Sequence, residues 1–226
     1  MEIVILPSLL AADCGRLADE CRRAAASGAD ALHVDIMDAH FVPNLSFGPA
    51  VVAMARQTIS LPLNVHLMMT RPQDYFQRFI DAGAAAVQIH VEASCNVPAA
   101  LAAIRGAGVR NGLTLRPATP PEAVFPFLRH VDEILVMTVE PGYGGQSFMP
   151  AMLPKLTAIR RQAQRQGVSA LTIMVDGGIG AETAAQCAGH GANAFVSGTA
   201  LFGLPDMSAG VTALRRAATD AYGREL

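Results

Sequence analysis

Lysine is almost missing from this chain: Lys155 is the only one, and every other fixed positive side chain is an arginine. Chemistry that runs through a Schiff base on a strand end would have to use that residue, and Lys155 falls in the helical stretch after the sixth strand. Aldolase and decarboxylase mechanisms built on a strand-borne lysine are thereby set aside. Cysteine pairs are missing too. Cys14, Cys21, Cys95 and Cys187 form no C-x-x-C motif, so they are expected to be reduced, buried thiols in a cytoplasmic protein. No run of about 18 consecutive apolar residues occurs, which predicts no membrane span. Strong charge of either sign is lacking as well: the net charge is -2, so neither nucleic acid nor membrane is an expected partner. The apolar start, MEIVILPSLLAA, places Glu2 where a signal peptide needs a positive charge, and Pro7 interrupts the run. It reads as a buried first strand.

What is present is apolar material in short pieces. Hydrophobic residues make up 51% of 226 residues and charged ones 16%, enough for one large core and a single domain over residues 1–226. β-Branched runs predict strands near 3–7, 30–36, 62–67, 85–90, 111–115, 132–138, 171–176 and 193–197. Between them lie segments with helical spacing, such as Leu153, Leu156 and Ile159. Gly28, Gly83, Gly108, Gly167 and Gly191 each fall shortly before a strand, where a helix ends with positive φ. Eight strand-helix repeats with strands apolar on both faces predict a closed (β/α)₈ TIM barrel. The competing architecture, an open doubly wound sheet, usually carries a glycine-rich turn after its first strand. Here that turn reads Pro7-Ser8-Leu9-Leu10.

In such a barrel the chemistry sits where the strands stop. Strand 2 ends with His33-Val34-Asp35-Ile36-Met37-Asp38, strand 3 with His66-Leu67-Met68, and strand 7 with Asp176-Gly177-Gly178. Residues two apart on a strand share a side, so His33 and Asp35 project together. A lone histidine at a strand end is usually structural, and a lone aspartate in such a loop is usually an N-cap. Four of these residues at three strand ends make a mixed nitrogen and oxygen site instead. It suits one divalent metal ion: Zn, Fe, Mn or Co. His90 also ends a strand and is read as supporting rather than ligating.

Glycines follow the late strands. Gly142, Gly144 and Gly145 lie after strand 6, Gly177 and Gly178 after strand 7, and Gly198 with Thr199 after strand 8. Glycine lets peptide N–H groups approach an anion, and the loops after strands 7 and 8 are this fold's usual phosphate cradle. Met37, Met68 and Met137 fall at strand ends and are expected to form an apolar wall.

The segments Pro7–Asp13, His33–Asp38, His40–Asn44, His66–Met68, Pro141–Phe148 and Val175–Gly178 together resemble the ribulose-phosphate 3-epimerase family, from residue 3 to about residue 206. The resemblance implies a TIM barrel holding a single divalent metal and interconverting ribulose 5-phosphate and xylulose 5-phosphate. It implies His33, Asp35, His66 and Asp176 as ligands. Asp35 is then the base in the ribulose-to-xylulose direction and Asp176 the acid. Ser8, His66, Gly142, Tyr143, Gly144, Gly145, Asp176, Gly177, Gly178, Gly198 and Thr199 are implied to contact a small-molecule sugar phosphate. A homo-oligomer is also expected. Ala39 and Arg116 depart from the family pattern, and residues 70–75 and 136–139 are closer to the allulose-6-phosphate 3-epimerase branch. Pentulose and hexulose phosphates therefore both stay open as substrate, and a non-catalytic phosphosugar-binding barrel is the alternative of another class.

Overall fold

The computed structural model describes residues 2–226; Met1, the first residue of the expected domain, lies outside them. Eight strands alternate with helical segments: β1 (Val4–Pro7), β2 (Leu32–Met37), β3 (Leu63–Met68), β4 (Ala86–His90), β5 (Arg110–Leu115), β6 (Glu133–Met137), β7 (Thr172–Asp176) and β8 (Ala194–Ser197). Each predicted strand is found within two residues of its expected ends. All seven pairings are parallel, and β1 pairs with β8 (Val4 opposite Ala194) rather than with its sequence neighbour. A single parallel bridge between Ser8 and His33 joins β1 to β2 and closes the ring.

The helices are α1 (Leu17–Ala26), α2 (Pro49–Thr58), α3 (Phe76–Asp81), α4 (Val97–Gly106), α5 (Leu153–Arg165), α6 (Ala181–Gly189), α7 (Thr199–Phe202) and α8 (Met207–Ala221). The crossover from β5 to β6 has no α-helix. Its place is taken by a 3₁₀ segment, Pro121–Phe127, preceded by Pro120 and containing Pro126. Proline lacks the N–H that an i→i−4 ladder requires, so three prolines in seven positions leave only the tighter turn. The five glycines expected to end helices have φ of +82°, +106°, +82°, +72° and +98° in chain order.

Strand parity divides the core. Odd and even positions face opposite sides, so Leu32, Val34, Ile36, Leu63, Val65 and Leu67 pack outward against the helices. Fully buried side chains of that layer, such as Phe79 and Phe195, each contribute about 1.5–3 kcal/mol of burial. The other parity faces the barrel axis. There Leu6, Leu135, Met137, Met174, Ala194 and Val196 form a small apolar cluster on the β6–β1 side. On the β2–β4 side the same inward positions carry His33, Asp35, Asn64, His66, Gln88 and His90, all buried. Gly112 makes room for one of them: a Cβ there would lie 2.5 Å from Gln88 Cγ.

Of the four cysteines, Cys21 and Cys187 are buried and Cys95 is half-buried, but Cys14 is exposed. Cys14 opens a 3₁₀ turn on the surface that is capped by Asp13, whose carboxylate accepts the Gly15 N–H, so no core position is available to it. No described helix is long and apolar enough to cross a membrane.

Candidate active site

Four expected ligands converge at the mouth of the barrel. One ligand atom each from His33, Asp35, His66 and Asp176 lies within 4.8 Å of every other. Register accounts for three of them. Asp35 and His66 stand opposite each other on β2 and β3, and His33 is one inward step below Asp35. Asp35 Oδ1 is 3.2 Å from His33 Nε2 and 3.0 Å from His66 Nδ1, while its Oδ2 accepts the Ser8 hydroxyl at 2.6 Å. Asp176 reaches the cluster from β7, across the ring.

The electrostatics of the two carboxylates diverge. Burial would raise the pKa of Asp35, but the neighbouring His33 and His66 outweigh it and hold the carboxyl low. Asp176 is raised, first by burial and then by the charge of Asp35. His33 is raised because Asp35 overcomes the cost of burial, whereas burial wins at His66 and lowers it. Among the described residues no donor reaches the Asp176 carboxylate, and no lysine or arginine stands between it and Asp35. Two carboxylates and two imidazoles with no balancing cation are the donor set of a divalent transition metal. Asp35, buried, and Asp176, half-buried, are costly as they stand and fit that group.

Each imidazole is backed by a chain of polar residues. His33 Nδ1 lies 3.0 Å from Asn64 Oδ1, and Asn64 Nδ2 donates to Glu133 Oε2 at 2.8 Å. The amide is therefore oriented oxygen-first towards His33. The neutral ring then carries its proton on Nδ1 and keeps Nε2 free for the cluster. Behind His66 stand His90 and Glu92, with His66 Nε2 and His90 Nε2 2.9 Å apart. Burial lowers the His90 pKa to about 4. Glu92 sits at about 2, because contacts from His90, Arg116 and Thr119 outweigh its burial. Of these supporters only His90 was read as such from sequence; Asn64, Glu133 and Glu92 were not. Their signal was parity: Asn64 and Glu133 are polar residues on inward positions of otherwise apolar strands.

A cavity of about 410 Å³ opens above the cluster. Ser8, Asp35 and Asp176 form its floor, and Met37, Met68 and Met137 stand in its wall. Gly142, Tyr143, Gly144 and Gly145 line one side, and Gly177, Gly178, Gly198 and Thr199 another. His33 and His66 are fully buried behind the floor, so His66 alone of the expected substrate contacts does not line the space. The start of α6, from Gly180 to Thr183, lines it too, which extends the glycine cradle beyond the expected loops. Glycine is required at 178: φ is +66°, and a Cβ would come within 2.4 Å of the Phe148 nitrogen.

The loop after β6 is latched over one edge. Asn44 Nδ2 donates to the Gly142 carbonyl at 2.7 Å, and the Tyr143 hydroxyl to the Pro43 carbonyl at 2.9 Å. Gln146, also in the cavity wall, braces the loop from within through the carbonyls of Glu140 and Tyr143. Lys155 lies on α5, as expected, and its ammonium donates to the carbonyls of Arg116, Pro117 and Thr119. It is occupied as a brace for the loop after β5. His40 is in an exposed loop, and His190 ends α6 beside Thr157.

The model of the ribulose-phosphate 3-epimerase family matches residues 4–202. The chain is 44% identical over 215 residues to ribulose-phosphate 3-epimerase of Mycobacterium tuberculosis (strain ATCC 25618 / H37Rv), covering 95% of this chain and 93% of the relative. It is 43% identical over 216 residues to the cytoplasmic isoform of Oryza sativa subsp. japonica, with 94% and 92% covered. Among solved structures, KGPDC from Streptococcus mutans superposes with a TM-score of 0.71 at 12% identity, covering 99% of this chain and 100% of that one. At that identity the likeness establishes the barrel fold alone.

Proposed function

The chain belongs to the ribulose-phosphate 3-epimerase family, and on that premise we propose that it interconverts D-ribulose 5-phosphate and D-xylulose 5-phosphate by a two-carboxylate proton exchange at C3. The observation that carries this reading is the pair Asp35 and Asp176, brought from β2 and β7 to one cavity beside His33 and His66, with a ligand atom of each of the four within 4.8 Å of the others. Inversion needs a proton removed from one face of C3 and returned to the other. Two carboxylates that both reach the reacting carbon can divide those tasks between them. In the order that the family resemblance implies, Asp35 is the base in the ribulose-to-xylulose direction and Asp176 the acid.

The other residues serve that exchange. Ser8 donates to Asp35 Oδ2 and leaves Oδ1 to the cluster. The glycine cradle around Gly178, Gly198 and Thr199 takes the phosphate, fixing C3 between the two acids. Met37, Met68 and Met137 keep water from the reacting carbon. His33, Asp35, His66 and Asp176 hold one divalent cation, Zn, Fe, Mn or Co. When bound it supplies Lewis-acid stabilisation of the charge that develops as the C3 proton leaves. The reading includes a cytoplasmic location and a homo-oligomer. The four unpaired thiols and the cytoplasmic isoform among the relatives support the location.

Turnover in heavy water tests it. Metal-loaded enzyme acting on ribulose 5-phosphate is expected to yield xylulose 5-phosphate with solvent deuterium at C3. Retention of the substrate hydrogen would exclude two bases. Faster turnover of allulose 6-phosphate in a parallel assay would move the substrate to the hexulose branch.

A further inference from the structure

Two residues behind the active site, His90 and Glu92, line no part of the cavity and touch no substrate position. Their geometry still constrains a ligand atom. His66 Nε2 and His90 Nε2 face each other at 2.9 Å, so one proton lies between them and the two rings cannot choose tautomers independently. His90 Nδ1 lies 3.1 Å from Glu92 Oε2. A carboxylate only accepts, so the neutral His90 ring carries its proton on Nδ1 and presents a lone pair at Nε2. His66 must then donate from Nε2. Its Nδ1, the atom 3.0 Å from Asp35 Oδ1, is left without a proton.

Glu92 is itself held from the far side. Its Oε1 accepts the Arg116 peptide N–H at 2.8 Å and the Thr119 hydroxyl. Lys155 fixes the carbonyls of that same loop. Phe41 closes the assembly: its ring centroid is 4.6 Å from that of His90, and the Arg116 guanidinium lies over the Phe41 ring, 3.9 Å from its centroid.

We propose that Glu92, acting through His90, fixes the tautomer of His66 so that Nδ1 is free to bind the cation, which makes Glu92 and His90 positioning residues for the metal. The inference rests on the metal reading above. Glu92→Gln tests the donor sense with almost no change of shape. The Arg116 N–H still demands an acceptor, so the new amide group turns towards His90, forces its Nδ1 to accept, and reverses both rings. Zinc affinity, measured by chelator competition, is expected to fall about 10–100-fold. Thr119→Val, which removes one contact to Glu92 without changing the sense at His90, should lose less.

Histidine-selective ¹⁵N spectra of the zinc-loaded wild type supply a readout that needs no variant. His90 should be protonated at Nδ1 and bare at Nε2, with His66 protonated at Nε2. A proton on His90 Nε2 overturns the proposal, even if Glu92→Gln fails to fold. Wild-type zinc affinity in Glu92→Gln, or an equal loss in Thr119→Val, overturns it as well. A wild-type chain that binds no divalent cation ends the metal reading too, whereas tight wild-type binding with an indifferent Glu92→Gln ends this inference alone.

Discussion

Glu133 and Asp176 are both acids on inward positions of neighbouring strands, yet they live in opposite circumstances. At the floor, Glu133 is saturated: Asn64 and Gln88 both donate to Oε2, and Arg110 Nε lies 3.1 Å from Oε1. At the mouth, Asp176 has no donor among the described residues and faces the charge of Asp35 instead. The chain evidently can satisfy a buried carboxylate with its own side chains. Where it does not, the unmet demand belongs to a ligand rather than to the fold. The contrast separates two kinds of inward-facing acid by their partners.

It can be broken at either end. The largest effect is expected at the mouth. Asp176→Asn should lower kcat by about 10²–10⁴-fold, the usual worth of a positioned acid or base, while the thermal midpoint holds or rises. A steady-state assay beside a melting curve decides it, and near-normal turnover would take Asp176 out of the chemistry. At the floor the signs reverse. Glu133→Ala strands the Asn64 and Gln88 amides and should cost stability at about 1–3 kcal/mol per orphaned donor. An unchanged urea midpoint would mean that water replaces the carboxylate.

A smaller effect sharpens the contrast through pH. In metal-free protein the pKa of Asp176 is raised above its unfolded value, so the folded chain holds the extra proton across that interval. The stability linked to this group is complete below the unfolded value and is lost as pH rises through the folded one. Metal-free wild type should therefore weaken towards neutral pH relative to Asp176→Asn; parallel profiles would deny the shift. The smallest change lies outside both regions. Ala39 has φ of +60°, the one described non-glycine residue at positive φ. Relief of about 1 kcal/mol of backbone strain, partly offset by the freer unfolded chain, should make Ala39→Gly slightly more stable by calorimetry.

The barrel was legible because its strands are short, read as apolar on both faces and preceded by glycines at helix ends; that one inward side is polar appears only in the fold. The four clustered groups were legible because polar side chains at apolar strand tips need a purpose. Of their supporters only His90 was legible, and not which ligand it backs. Asn64 and Glu133 meet across 69 residues of chain, and His66 and His90 across 24, so only the folded register reveals that they touch. The 3₁₀ crossover at Pro121–Phe127 could have been read from its prolines, while the exposure of Cys14 depends on a turn that no periodicity marks.

The pairing of β1 with β8 has a consequence for synthesis. A chain leaving the ribosome has its first strand in hand from the start, but that strand's only ladder partner ends at Ser197. Until then one edge stays open: Ser8 can already meet Asp35 on β2, but its N–H lacks the Ser197 carbonyl, and Gly198 and Thr199 of the pocket wall do not yet exist. The pocket is thus absent through most of translation and arises only when the last strand slots home, so a ribosome stalled shortly before β8 would carry nearly all of the machinery and none of the enzyme.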